Sequence, residues 1–116
     1  MSQSFDFSGV FEVNELVKVE ADFVVVLDHQ NRVDKSTILS ALARGFGFPD
    51  YFGHNWDAAY DCLLDVFDGF GQIDVLLKIS PSADVNEAEL NVFIGIMRDV
   101  IESQPTHKRL RIFLMR

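Results

Sequence analysis

The sequence predicts an α/β protein with a mainly parallel sheet. Short, continuous apolar runs recur at 23–27, 73–79 and 110–114, and their length and composition are typical of strands buried on both faces. Between these runs the apolar residues recur at helical spacing. Because the order is strand, helices, strand, helix and strand, parallel pairing through right-handed crossovers is favoured.

Helix signals follow the first apolar run. The polar turn HQNR leads to Asp34, the expected N-cap, and Gly45 is the predicted C-terminal stop of this helix. The apolar side of the helix consists of Ile38, Leu39, Ala41 and Leu42. The next segment, GFGFPDYFG, has too many glycines and prolines for regular structure, and its aromatic residues predict an ordered loop packed on the core.

A second helix is predicted after Asn55, its expected N-cap, and it ends where DGFGQ breaks the pattern near Asp68. At about 100° per residue, four of its carboxylates fall within an arc of roughly 80°. We call this set the acidic stripe: Asp57, Asp61, Asp65 and Asp68. The residues expected to face the core are Trp56, Ala59, Tyr60, Leu63, Val66 and Phe67. Such a helix can present negative charge rigidly to a cationic partner, although an ordinary solvated face would show the same pattern.

A third helix is predicted between the second and third apolar runs. Asp84 and Glu87 have the spacing of a capping pair, and Pro105 stops the helix. Its apolar positions are Leu90, Phe93, Ile94, Met97, Val100 and Ile101. Near the N-terminus, residues 10–19 have mixed periodicity, which fits either an extra strand or a short helix.

Size and composition predict a single domain, residues 1–116, in which residues 1–20 form an N-terminal extension of unknown role. The chain is 48% apolar and has 11 Phe, enough for a hydrophobic core without a metal or a disulfide. Cys62 is the only cysteine, so no intrachain disulfide can form, and no apolar stretch reaches the ~20 residues of a membrane span. These features predict a cytoplasmic location.

The charge balance narrows the class of partner. Ten Lys and Arg against 18 Asp and Glu give a net charge of −8, which opposes binding to nucleic acid or to an anionic membrane. The same sign favours association with a basic protein, although many acidic proteins are simply soluble.

Other chemistries have weaker support in the sequence. His54, Asp57 and Asp61 could share a helical face and bind a metal, but no HExxH-type pattern accompanies them. Paired aspartates could act as acid and base in a small hydrolase, yet they are expected to face solvent. Cys62 is predicted to be a small core residue, and no phosphate-binding glycine motif is present. We therefore expect no metal, no cofactor and no catalytic residue.

The stretch FPDYFGHNWDAAYDCL resembles the signature of the barstar family of intracellular ribonuclease inhibitors, most densely over residues 49–63. The resemblance implies a barstar-like α/β fold, a three-stranded parallel sheet with packed helices. It also implies a non-catalytic inhibitor, or immunity protein, that blocks the active site of a basic, barnase-like ribonuclease. We expect the free protein to be a monomer. Carboxylates on a rigid helix would replace the phosphates that such a site holds.

The resemblance places Tyr51, Asn55, Asp57 and Asp61 at partner-contacting positions, with Asp61 as the central acidic residue. Tyr60 stands where the family has Trp, and Leu64, Asp65 and Val66 stand where it has Thr, Gly and Trp. A loose alignment puts Asp99 at the position of a glutamate in the next helix. The predicted partner-binding residues are Tyr51, Asn55, Asp57, Tyr60, Asp61, Asp65 and Asp99. Because the edge of this surface departs from the family pattern, an interaction module that binds another basic protein or toxin is the alternative.

Overall fold

A parallel sheet of four strands is the centre of the computed structural model, which describes residues 8–14, 18–49 and 52–116. The strands, in chain order, are β1 (Gly9–Val13), β2 (Phe23–Val26), β3 (Arg32–Val33), β4 (Gln72–Lys78), β5 (Asp84–Val85) and β6 (Arg109–Met115). The main sheet has the order β1-β6-β4-β2, and β3 pairs with β5 in a separate parallel ladder. The helices are α1 (Lys35–Phe46), α2 (Trp56–Asp68) and α3 (Glu87–Glu102).

The predicted α/β class is confirmed, and the sheet has four strands where three were expected. The additional strand is β1, which pairs in parallel with residues 111–115 of β6. It was hard to recognise because a half-buried strand at a sheet edge has no continuous apolar run; Glu12, for example, is exposed.

The helices lie on one face of the sheet. Because β2, β4 and β6 follow one another both in sequence and across the sheet, right-handed crossovers place the three helices on the same side. Val25, Val75 and Ile112 face these helices and are almost completely buried. Val24 and Val26 point to the other face and are 56% and 50% exposed. The expectation that β2 is buried on both faces was therefore wrong.

Helix α1 begins where the sequence predicts but ends later than predicted. Asp34 is the N-cap, as predicted, and its side chain accepts a hydrogen bond from the Thr37 N–H at 3.0 Å. The predicted stop at Gly45 was wrong, because the helix continues to Phe46 and its C-cap is Gly47, in the left-handed conformation with φ 66°. Gly45 serves a packing role, since a Cβ there would lie 2.8 Å from Cγ2 of Val25.

The N-terminus of α3 also differs from the prediction. Asp84 lies in β5, and the N-cap is Asn86. The Asn86 side chain accepts from the Glu89 N–H at 3.2 Å and donates to the Glu89 carboxylate at 3.0 Å. The predicted capping pair was Asp84 with Glu87, and the observed pair is Asn86 with Glu89. The pair lies two residues later because β5 occupies 84–85.

The loop between α1 and α2 packs its aromatic side chains on the core, as predicted, in the part that the structure describes. Phe48 lies 6.2 Å from Phe46 and 4.9 Å from Phe52, measured between ring centroids. Phe46 and Phe52 are buried. These contacts hold the described parts of the loop against the core. As a separate observation, none of the described helices is long and apolar enough to cross a membrane.

Candidate functional site

The start of α2 is fixed by its cap. The Asn55 side chain accepts a hydrogen bond from the Ala58 N–H at 2.8 Å, which satisfies one of the free donors of the first turn. The preceding residue, His54, has φ 51°, a left-handed conformation that costs a non-glycine residue energy. Asp57 follows in the first turn, where the helix dipole favours a carboxylate.

Packing holds α2 in a fixed orientation. Ala59, Leu63 and Phe67 are buried, and burial of each large side chain is worth roughly 1.5–3 kcal/mol. The Trp56 ring stacks on Phe93 of α3, with 6.3 Å between centroids. Because this side of α2 is held by the core, the acidic stripe is held outward.

All four aspartates of the acidic stripe are exposed. Three ion pairs are found in the described parts of the chain: Arg32 with Asp34, Arg111 with Asp74, and Arg116 with Glu87. None of these pairs uses a stripe carboxylate. Lys108 contacts α2 through the backbone: its ammonium donates to the carbonyl of Asp68 at 2.6 Å and caps the end of the helix. The stripe carboxylates are thus available to an external cation.

A groove of about 650 Å³ runs between α2 and α3, beside the acidic stripe. From α2 it is lined by Trp56, Asp57 and Tyr60, and from α3 and its C-cap by Val92, Ile96, Asp99, Glu102 and Ser103. Three carboxylates therefore surround a surface that also contains aromatic and aliphatic side chains. Aromatic faces and carboxylates together suit the side chain of an arginine or a lysine.

The structure brings together three of the predicted residues from two helices. Asp57, Tyr60 and Asp99 line the α2–α3 groove. Asp61 and Asp65 are exposed on α2 but do not line the groove.

Asn55 is exposed, and its side chain is engaged as the helix cap. Tyr51 lies outside the described residues.

On the α3 side of the groove, sequence reasoning located Asp99 but missed Val92, Ile96, Glu102 and Ser103. Val92, Ile96, Asp99 and Ser103 recur at the spacing of one helical face, separate from the apolar face that packs on the sheet. Val92 is 48% exposed, so an apolar residue outside the core face was the signal that could have located this surface.

Metal chemistry has no support in the described part of the chain. His54 precedes α2 and is not helical, so the common helical face proposed for it with Asp57 and Asp61 does not form. Across residues 8–14, 18–49 and 52–116, no three His, Cys, Asp or Glu side chains form a group that could hold a metal ion.

Cys62 is half-buried rather than fully buried, because it lies on the flank of α2 between the core and the acidic stripe. Burial raises the pKa of its thiol, and the neighbouring carboxylates of Asp65 and Asp61 raise it further. The thiol is therefore protonated and weakly nucleophilic at neutral pH.

Comparison with known proteins identifies the family. No curated protein and no solved structure matches the chain. The family model described as Barstar (barnase inhibitor) matches residues 23–115, from β2 to the end of β6. This match covers most of the chain, including α2, α3 and the groove between them. The chain belongs to the barstar family.

Proposed function

We propose that this protein is a non-catalytic inhibitor of a basic, barnase-like ribonuclease, and that it blocks the active site with α2 and the loop before it. The observation that carries the proposal is the acidic stripe: exposed carboxylates, outside the ion pairs of the described residues, on a helix fixed by its core side. Family membership supports it, because the family is described as barnase inhibitors.

The inhibitory mechanism follows from charge and rigidity. A ribonuclease site uses basic groups to hold phosphates, and carboxylates in fixed positions can replace those phosphates without large ordering costs. Asp61 is the proposed central contact. Asp57, Tyr60 and Asp99 would hold a second basic side chain in the α2–α3 groove, while Asp65, Asn55 and Tyr51 extend the contact around it.

Such an inhibitor has no chemistry to perform on RNA. The ribonuclease would be blocked sterically, since α2 would occupy the volume of the substrate, and electrostatically, since its cations would be neutralised. We place the protein in the cytoplasm as a monomer, where it would protect the producing cell, and we propose no binding to nucleic acid because of the net charge of −8.

Titration of a basic ribonuclease with this protein tests the proposal. We expect one-to-one loss of RNA cleavage and competition with a mononucleotide bound at the active site. The association rate should fall as salt is added, because exposed charges are screened over about 10 Å at 0.1 M ionic strength. Binding without loss of activity would contradict the proposed mode.

A second candidate is a module of the same fold that binds a different basic protein. It is favoured by Leu64, Asp65 and Val66, which stand where the family pattern has Thr, Gly and Trp, and by the exposed Val92 in the α2–α3 groove. Capture from the native cell separates the two proposals. Recovery of a ribonuclease supports the first, and recovery of an unrelated basic protein supports the second.

A further inference from the structure

Strand β1 lies outside the residues that match the family, which begin at 23. It pairs with β6 through five residue positions, from Gly9 opposite Arg111 to Val13 opposite Met115. The pairing continues at its N-terminal end, where Ser8 Oγ accepts a hydrogen bond from the Leu110 N–H at 3.0 Å. Without β1, strand β6 would be the edge of the sheet.

The edge that β1 covers is strongly apolar. Ile112, Phe113 and Leu114 are 0%, 3% and 3% exposed. On one face of the sheet the Phe11 ring lies 5.6 Å from the Phe113 ring. On the other face Val10 packs against the core, and with Leu90 and Ile94 of α3 it lines a cavity of about 290 Å³. Strand β1 therefore covers backbone hydrogen-bonding groups and apolar side chains together.

The opposite edge of the sheet is protected differently. Strand β2 has four residues, and carboxylates flank it at Asp22 and Asp28. In an antiparallel pair of two such strands these acids would approach each other, which opposes pairing. Strand β6 has seven residues and contains no acid; its charged residues are Arg109 and Arg111. An uncovered β6 would be a longer template than β2, without acids at its ends.

We propose that β1 is a closing strand that prevents β6 from pairing with the β6 strand of a second copy of this chain. The partner is a second copy because the uncovered edge is self-complementary when two such strands run antiparallel, with their apolar side chains side by side. This role makes residues 8–14 part of the same folding unit as the family-matched residues. The proposal is independent of what α2 and α3 bind.

The test uses the full-length chain with Val10→Pro and Phe11→Pro together. Successive residues in a strand direct their N–H groups to opposite sides, so one of the two prolines removes a bond to β6 in either register. Glu20→Pro, an exposed position outside the strands, is the matched control. Sedimentation velocity over a concentration series gives the oligomeric state, and hydrogen exchange reports the protection of residues 109–115.

We expect the double variant to keep its helical circular dichroism and to form a dimer that increases with concentration, while the control stays monomeric. A peptide of residues 8–14, added in excess, should dissociate the dimer because it reoccupies the β6 edge. If the double proline unfolds the chain, the single variants Val10→Pro and Phe11→Pro carry the same test, since one of them removes a bond to β6. A folded variant that stays monomeric, or a dimer that the peptide does not dissociate, would overturn the proposal.

Discussion

Asp57 of α2 and Asp99 of α3 line the same groove, although they belong to helices joined through β4 and β5. Each residue has an exposed carboxylate. Tyr60 lies in the same lining. The two helices therefore build one surface that a single basic side chain can enter.

A double-mutant cycle tests this shared contact. Asp57→Asn and Asp99→Asn should each weaken binding to the ribonuclease, and their combined effect should differ from the sum by about 0.5–3 kcal/mol, because both carboxylates bind one cation. Isothermal titration calorimetry gives the four affinities. Asp57→Asn combined with Asp84→Asn, at an exposed position on β5, is the control, and the two should be additive to about 0.5 kcal/mol. Additivity in both cycles would mean that the groove does not hold one shared cation.

The carboxylates of the acidic stripe should lower the free energy of unfolding of the free protein. Asp61 and Asp65 are four residues apart on α2, as are Asp57 and Asp61, and Asp65 and Asp68 lie near the negative end of the helix dipole. Asp65→Asn should therefore raise the free energy of unfolding by about 0.3–1 kcal/mol while it lowers the association rate with the partner. Urea denaturation and stopped-flow binding measure the two effects. A less stable Asp65→Asn variant would indicate a structural role for this carboxylate.

Ionisation of Cys62 should lower stability at high pH. Because burial and the carboxylates of Asp65 and Asp61 raise the thiol pKa in the folded state, the unfolded chain ionises first. The resulting contribution to stability is complete below the ordinary thiol pKa of about 8.5 and is lost as the pH rises through the folded-state pKa. The difference in free energy of unfolding between the wild type and Cys62→Ala should therefore be constant below about pH 8.5. Above that pH the wild type should become less stable relative to the variant. Urea denaturation of both proteins at a series of pH values tests this, and a difference that is constant with pH would contradict it.

The two glycines at the ends of α1 and α2 should respond differently to alanine. Gly45→Ala should destabilise the fold by about 1–3 kcal/mol, because its Cβ would meet Val25 Cγ2 at 2.8 Å. Gly69→Ala should be neutral or should stabilise by up to about 1 kcal/mol, because φ is −80° and a Cβ would meet no atom within 4 Å among the described residues. Thermal unfolding compares the two variants. Equal effects would show that Val25 moves aside without cost.

Local signals in the sequence were sufficient for the elements that depend on local chemistry. The Asp34 and Asn55 caps were predicted because a side chain reaches a backbone N–H three residues away. The exposed stripe on α2 was predicted because helical periodicity fixes which residues share a face. Neither inference needed a distant part of the chain.

Features that depend on tertiary contacts were missed. Gly45 was taken for a helix stop because glycine often ends helices, whereas here the reason for glycine is the close approach of Val25 on β2. β1 was ambiguous because its stability comes from pairing with β6, about a hundred residues away, and not from its own pattern. Asp99 was placed only by a loose alignment, and the apolar residues of the groove on α3, such as Val92, were missed because only the packing of α2 against α3 brings them beside Tyr60.

The most direct test of the central claim is the affinity of Asp61→Ala for a basic ribonuclease that the wild type inhibits, compared with Asp84→Ala. Both changes remove one exposed carboxylate, but only Asp61 belongs to the acidic stripe. We predict that Asp61→Ala raises the Kd at least about thirtyfold, which corresponds to a loss of about 2 kcal/mol of binding free energy. This loss is the threshold for an interface hot spot, and barstar itself is a reference case for that scale. Asp84→Ala should leave the Kd almost unchanged. Equal affinities for the two variants would contradict an inhibitory surface centred on the acidic stripe.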